Sequence, residues 1–265
     1  MSNTLNRLTS TGFPEKEFFA IKSFLLNSTV PLIYEKDSAV GIQGTGCLFE
    51  LNKTLFFVTA GHVLENVDPQ ALGIPLRQHN KEVFTLGPGI VGWSKQDEFD
   101  VAAYRIDDDQ VVAQLRKSYT VLNAANVKPD SNTNDHYIIP GYPAETISRN
   151  GYELKAKDIT QLYTTRYGGD VLGKRTEFDH FFKLRRTAQR LWGNEIEVPD
   201  LRGISGAPVW QVRTPKNSIW APESVLHLIG IQVSCDPKAE KYVRVLDWSI
   251  VQRALMKLLN REQNA

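Results

Sequence analysis

The chain has 265 residues, 42% hydrophobic and 23% charged, with a formal net charge of +1; this suits a globular protein with room for two packed cores, excludes large-scale disorder, and gives no reason to expect a nucleic-acid or membrane partner. Its two cysteines, Cys47 and Cys235, make no disulfide framework, so reduced thiols and a cytoplasmic location are expected. The polar start Met1-Ser2-Asn3-Thr4 reads as no signal peptide, and the apolar run Phe18 to Leu26, interrupted by Lys22 and Ser23, falls short of the roughly 20 residues that span a bilayer.

In chain order, Pro14 suits a first helical turn and Phe18, Ile21 and Leu25 share one helical face, so residues 1–29 read as a helical extension packed on the first set of strands. Short strands are predicted at Val30 to Tyr34, Val40 to Gln43, Cys47 to Glu50 and Leu55 to Thr59, with a tight turn at Asn52-Lys53. Others are predicted at Val83 to Leu86, Ile90 to Trp93 and Val101 to Ile106, enough for a six-stranded barrel over 30–120. Asp107 to Asp109 close the last of these and read as a solvated turn. The polar stretch 121–135 is the best linker, and a second set of strands occupies 136–246: an opening run from His136 to Pro143, then near Tyr152 to Lys155, Gln161 to Thr164, Phe181 to Arg185, Ala207 to Gln211 and Leu226 to Val233. Thr165 to Phe178 is expected to be a loop, and the basic group Lys183, Arg185, Arg186 and Arg190 a solvated face. A C-terminal helix over 247–265 opens at the cap residue Asp247 and buries Ile250, Val251, Ala254, Leu255, Leu258 and Leu259.

Three short segments carry the chemistry. Thr59-Ala60-Gly61-His62 supplies a histidine after a strand, Phe99-Asp100-Val101-Ala102 an aspartate heading an apolar strand, and Gly203-Ile204-Ser205-Gly206-Ala207-Pro208 a serine between glycines. A lone histidine is more often a satisfied structural residue, and a lone Gly-Ser-Gly an ordinary turn; the three together, in the order His, Asp, Ser, reverse that reading. The α/β-hydrolase elbow does not fit, because Ala207 replaces its second glycine and only His227 follows Ser205. Gly44-Thr45-Gly46 lacks the third glycine and the helix of a dinucleotide site, and the histidines lack metal-ligand spacing, so neither cofactor nor metal is expected.

These segments resemble those of the trypsin/chymotrypsin family of serine peptidases, and in particular its intracellular bacterial members without disulfides. The resemblance runs from about Val30 to Leu259, strong at the three motifs and weak between them. It implies an all-β fold of two six-stranded antiparallel barrels packed around an active site, with a helix at each end. It implies a triad of His62, Asp100 and Ser205, with the Gly203 and Ser205 N–H groups as the oxyanion hole. Two departures stand out: Ile204 replaces the aspartate that receives the new N-terminus in zymogen activation, and Val63 replaces a disulfide cysteine. The specificity pocket would draw on Asp200, Gln232, Val233 and Ser234, with Asp200 as a negative floor, although the family's acidic residue falls at Pro199. The function implied is a serine endopeptidase with restricted protein substrates and a possible regulatory partner, in keeping with an effector in a bacterial stress or antiphage system. The competing class is a peptide-binding module on the same fold without turnover, against which the intact triad argues.

Overall fold

In a computed structural model, the structure describes residues 15–36, 39–65, 67–76, 83–86, 91–93, 99–130, 136–150, 153–156, 159–172, 176–190, 195–213, 220–235 and 241–262. Pro14, Ile90, Tyr152 and the end of the linker, 131–135, lie outside them.

Helix α1 (Glu15–Ser28) buries Phe18, Ile21 and Leu25 as expected. It also buries Phe24, whose ring meets Trp210 edge-on at 5.4 Å and 77°, a pairing worth about 0.5 to 1.5 kcal/mol beyond area burial. Trp210 belongs to the second sheet, so the helix joins both halves of the molecule rather than resting on the first alone.

The first sheet contains β1 (Val30–Lys36), β2 (Ala39–Leu51), β3 (Thr54–Thr59), β4 (Leu72–Pro75), β5 (Val83–Thr85), β6 (Val91–Trp93) and β7 (Ala102–Ile106). The strand order is β5-β4-β1-β2-β3-β7-β6, antiparallel throughout. The two strands predicted at Val40 to Gln43 and Cys47 to Glu50 are one strand, β2, which pairs with β1 up to Gly46 and with β3 from Cys47 onward. Handing one strand from one partner to the next is how a sheet curls toward closure. The β2–β3 turn has φ of 51° at Asn52 and 67° at Lys53, the two positive values a type I′ hairpin needs. Helix α2 (Gly61–Leu64) follows β3 directly.

Helix α3 (Asp109–Ser118) replaces the predicted acidic turn. The Asp108 Oδ1 accepts the N–H groups of Gln110 at 2.8 Å and Val111 at 3.1 Å, which makes it an N-cap, and Leu115 is buried. After α3 the linker is stapled to both sheets: Leu122 bridges to Phe49 and Val127 to Leu228.

The second sheet contains, in chain order, β8 (His136–Gly141), β11 (Thr160–Thr164), β12 (Asp179–Lys183), β13 (Thr187–Arg190), β14 (Glu195–Glu197), β15 (Pro208–Val212), β16 (Leu226–Cys235) and β17 (Tyr242–Asp247). Its strand order is β12-β17-β16-β15-β8-β11-β13-β14. A separate hairpin, β9 (Ile147–Asn150) and β10 (Glu153–Ala156), precedes β11, and a short helix α4 (Pro222–Val225) precedes β16. Each half is a curled antiparallel half-barrel; beyond the six strands expected of each, the first has β4, which lies between β5 and β1, and the second has the β13–β14 hairpin at its edge. The hairpin occupies part of the region expected to be a plain basic face.

Two faces of β16 serve two cores. Leu226, Leu228 and Val233 join the core shared with the first sheet, while Ile229 joins Tyr137, Phe182, Val209 and Val245 inside the second. Helix α5 (Trp248–Glu262) closes the chain against the first core with Ile250, Val251, Ala254, Leu255 and Leu258 buried, and the Asp247 Oδ1 caps it by accepting the Ser249 N–H at 2.8 Å. Among the described residues no helix is long and apolar enough to cross a membrane.

Candidate active site

Register brings the first two functional side chains together. In the antiparallel β3–β7 pair Thr59 faces Ala102, so the residues just after β3 and just before β7 meet at one end of the sheet. There the Asp100 carboxylate takes two hydrogen bonds from one residue: Oδ1 accepts the His62 backbone N–H at 2.7 Å, and Oδ2 lies 2.7 Å from His62 Nδ1. The first bond fixes where α2 begins, and the second fixes the ring. With a carboxylate at Nδ1 the proton resides on Nδ1, which leaves Nε2 as the free basic nitrogen.

The neighbours explain the sequence around this pair. A Cβ on Gly61 would stand 2.7 Å from Asp100 Oδ1, so the glycine makes room for the carboxylate rather than merely permitting a bend. The Val101 N–H donates to the Phe99 carbonyl at 3.1 Å, a three-residue turn centred on Asp100. Phe99 packs edge-on against Phe178 at 5.7 Å and 82°, and the Arg253 guanidinium lies 4.8 Å above the Phe178 ring. Phe178 thus packs on the residue that precedes the acid.

The His62 pKa is raised above its ordinary value of 6.5, first by the hydrogen bond to Asp100 and further by the charges of Asp100 and Glu65, with partial burial opposing. A base must be neutral to act, so activity should increase with pH through the His62 titration, and its half-maximal point is expected above 6.5. A kcat/KM profile on a peptide substrate checks this, and a midpoint at or below the ordinary histidine value would rule out Asp100 as the dominant influence on the ring.

Ser205 sits in a double turn. The Leu201 carbonyl accepts the Ile204 N–H at 3.1 Å, and the Ile204 carbonyl accepts the Ala207 N–H at 3.0 Å. The third residue of each turn is a glycine with positive φ, 92° at Gly203 and 88° at Gly206, as type II turns require. Gly206 lies so close to the first sheet that a Cβ there would stand 2.8 Å from the Ala60 nitrogen and collide with Thr45 O and Thr59 Oγ1. That contact sets the serine beside the turn that carries His62. The Ser205 hydroxyl itself has no hydrogen-bond partner among the described residues; in proteins without substrate such bonds are often open and close on binding.

The two amides expected to bind an oxyanion are aimed by their neighbours. In a trans peptide, C=O and N–H point in opposite directions. The Arg202 carbonyl accepts the Ala144 N–H at 2.7 Å, so the Gly203 N–H points away from Ala144; the Ile204 carbonyl is taken by Ala207, which turns the Ser205 N–H outward in the same way. Among the described residues neither N–H has an acceptor, whereas the Ile204 and Gly206 amides that follow them both do.

The expected pocket residues are placed unevenly. Gln232 lies behind the serine turn, its backbone accepting the Gly206 N–H at 2.7 Å and donating to the Ala207 carbonyl at 2.8 Å. Gln232 and Val233 are buried and Ser234 is exposed. The Asp200 carboxylate already has a partner: it accepts the Arg202 backbone N–H at 3.0 Å and Arg202 Nε at 2.7 Å, which together hold its pKa below the usual carboxylate range. A basic substrate side chain would have to compete with Arg202 for it. Burial, with some help from the Asp200 charge, pushes the Cys235 thiol up to about 11, so it is no ready nucleophile. Sequence reading passed over Thr45 and Gly206, whose importance lies in contacts made across the fold.

Two antiparallel half-barrels joined in this way are the trypsin-like serine protease fold. No protein-family model and no curated protein sequence matches the chain. Among solved structures it is similar to the thermostable serine protease AL20 from an extremophilic microorganism, at 13% identity and a TM-score of 0.51 over 86% of this chain and 94% of that one. It is similar to the active form of the Rv3671c protease of M. tuberculosis, at 16% identity and a TM-score of 0.52 over 97% and 92%. The protease Anisep from Arthrobacter nicotinovorans aligns at 13% identity with a TM-score of 0.50 over 88% and 95%. At these identities the likeness is one of fold.

Proposed function

We propose that the chain is a serine endopeptidase with Ser205 as nucleophile, His62 as general base and Asp100 as the group that orients and charges the base. The observation that carries this reading is the Asp100 carboxylate bound at once to the His62 N–H and Nδ1, with the serine turn packed against the same strand end. In the forward step Nε2 of His62 takes the Ser205 proton as Oγ attacks a peptide carbonyl, and the Gly203 and Ser205 amides receive the oxyanion. The imidazolium then gives its proton to the leaving amine, and water, activated by the same base, releases the acyl group. Of the four residues expected in the substrate-binding wall, Asp200 and Ser234 are exposed and keep that assignment, whereas Gln232 and Val233 are buried, Val233 in the core shared with the first sheet. A narrow range of protein substrates in the cytoplasm, as for a stress or antiphage effector under a regulatory partner, belongs to the same proposal and rests on cysteine usage and the motif resemblance.

The decisive experiment is labelling of the purified protein with a fluorophosphonate, with the adduct located by mass spectrometry. Modification confined to Ser205, and lost in His62→Ala, is the expected result. Absence of label at every pH from about 6 to 9, which brackets the base's titration, would overturn the reading in favour of a peptide-binding module.

A further inference from the structure

One side chain of the first sheet holds the loop that aims both oxyanion amides. Thr45 is fully buried in β2. Its N–H donates to the Ser205 carbonyl at 2.9 Å and its hydroxyl donates to the Gly203 carbonyl at 2.7 Å. The same oxygen accepts the Tyr142 N–H at 3.2 Å, and the Thr45 carbonyl accepts the Thr59 hydroxyl at 2.7 Å. A hydroxyl has one proton to give. Bound to the Gly203 carbonyl, it fixes the plane of the Gly203–Ile204 peptide, just as Ala144 fixes the plane before it through the Arg202 carbonyl.

Gly203 stands between the two fixed planes in the left-handed region where a glycine turns freely; its own N–H is aimed through the Arg202 carbonyl, and the next plane, held on one edge by the Ile204 N–H on the Leu201 carbonyl at 3.1 Å, is held on its opposite edge by Thr45, which keeps the turn leading to Ser205 in place. Ile204 completes the hold. It is buried in the core of the second barrel and occupies the space that a side chain at Gly141 would need. Every one of these constraints is made by the folded chain itself, with no charged group taking part.

We propose that Thr45 is the positioning residue of the oxyanion site: its hydroxyl, reaching across from the first sheet, locks the Gly203–Ile204 peptide so that the Gly203 and Ser205 amides face the substrate. The role rests on the reading of Ser205 as nucleophile, and its test separates the two.

Thr45→Val keeps the side chain's shape and removes only the hydroxyl, and Thr45→Ser restores it. In Thr45→Val, kcat is expected to fall about 10²-fold or more, the loss typical of one oxyanion donor, with KM little changed because ground-state binding is untouched. The His62 titration, governed by Asp100 and Glu65, should stay where it is. Affinity for a peptide boronate should fall in step with kcat, and Thr45→Ser should recover most of both. Unchanged kcat in Thr45→Val, or a loss that comes with a displaced pH midpoint, would show a structural residue only.

A second readout needs no turnover. Arg202 is 86% exposed beside the locked peptide, so in a Ser205→Ala background added trypsin should nick after Arg202 faster in Thr45→Val than in its parent or in Thr45→Ser. Equal nicking would overturn the lock even if the chain is a protease. Faster nicking in a chain that never takes up fluorophosphonate would keep the lock and discard the protease.

Discussion

Asp100→Asn is expected to lower kcat by about 10⁴-fold while leaving the fold intact. The reason lies in the count of donors. Asp100 accepts two hydrogen bonds from His62, one from the backbone N–H and one from Nδ1. An asparagine side chain has one accepting oxygen and one donating NH₂ group. If its oxygen keeps the backbone N–H, its NH₂ faces Nδ1 and forces that nitrogen to be the acceptor, which moves the ring proton to Nε2. His62 then presents a proton to Ser205 where it should take one. If the amide is reversed, two N–H groups collide and α2 loses its first anchor. The first arrangement yields no base, and the second, which would keep the proton on Nδ1, is disfavoured by its opposed N–H groups; raising the pH cannot help because the fault is one of tautomer. Steady-state kinetics on a peptide substrate from about pH 6 to 9, bracketing the titration, measures it; a loss below about tenfold, 1.4 kcal/mol in barrier, would mean that His62 is oriented by something other than Asp100.

Gly206→Ala is expected to remove both stability and labelling at Ser205. Its φ of 88° lies where a side chain is strained, and the added methyl collides with Thr45 O and Thr59 Oγ1 and approaches the Ala60 nitrogen to 2.8 Å. The left-handed conformation costs roughly 1 to 2 kcal/mol and overpacking about 1 to 3, so a loss of about 2 to 5 kcal/mol is expected in urea unfolding. Relief requires the serine turn to back away from β2 and β3, which carries Ser205 away from His62. Gly61→Ala offers a contrast at the other side of the site: its conformation is ordinary, and the damage there comes first from displacing the Asp100 carboxylate, with the Val101 nitrogen and Asp100 carbonyl carbon also crowded, at 3.2 and 3.3 Å. A Gly206→Ala protein with the melting point and labelling rate of its parent would show that the two sheets do not meet at this glycine.

Much of this was legible in the chain. The β3 strand, its Asn52-Lys53 turn and the motif ending in His62 are local features, written in β-branched and aromatic residues, a short polar turn and small residues after it. The closing helix was legible for the same kind of reason, since Asp247 and the Ile250 to Leu258 stripe follow helical spacing. Helix α3 was not, because three successive aspartates read equally as a solvated turn or as a capped helix start; only the burial of Leu115 decides between them. Asp130 is similar: it lies in the most polar stretch of the sequence, yet its side chain is buried, bonded to Tyr137 and Gln211 and paired with Arg166.

The site divides along the same line. Sequence by itself determined the fold class and the candidate triad, because each motif is a short run whose residue types state its chemistry and whose order narrows the architecture. Tertiary structure alone decided which contacts aim those groups: the Thr59–Ala102 register that delivers Asp100 to His62, the Thr45 hydroxyl on the Gly203 carbonyl, and the Arg202 guanidinium on Asp200. Most of these join residues far apart in the chain, and the Arg202–Asp200 pair depends on how its loop is folded. A hydrogen bond is made by distance and direction, and neither is fixed until the sheets have closed.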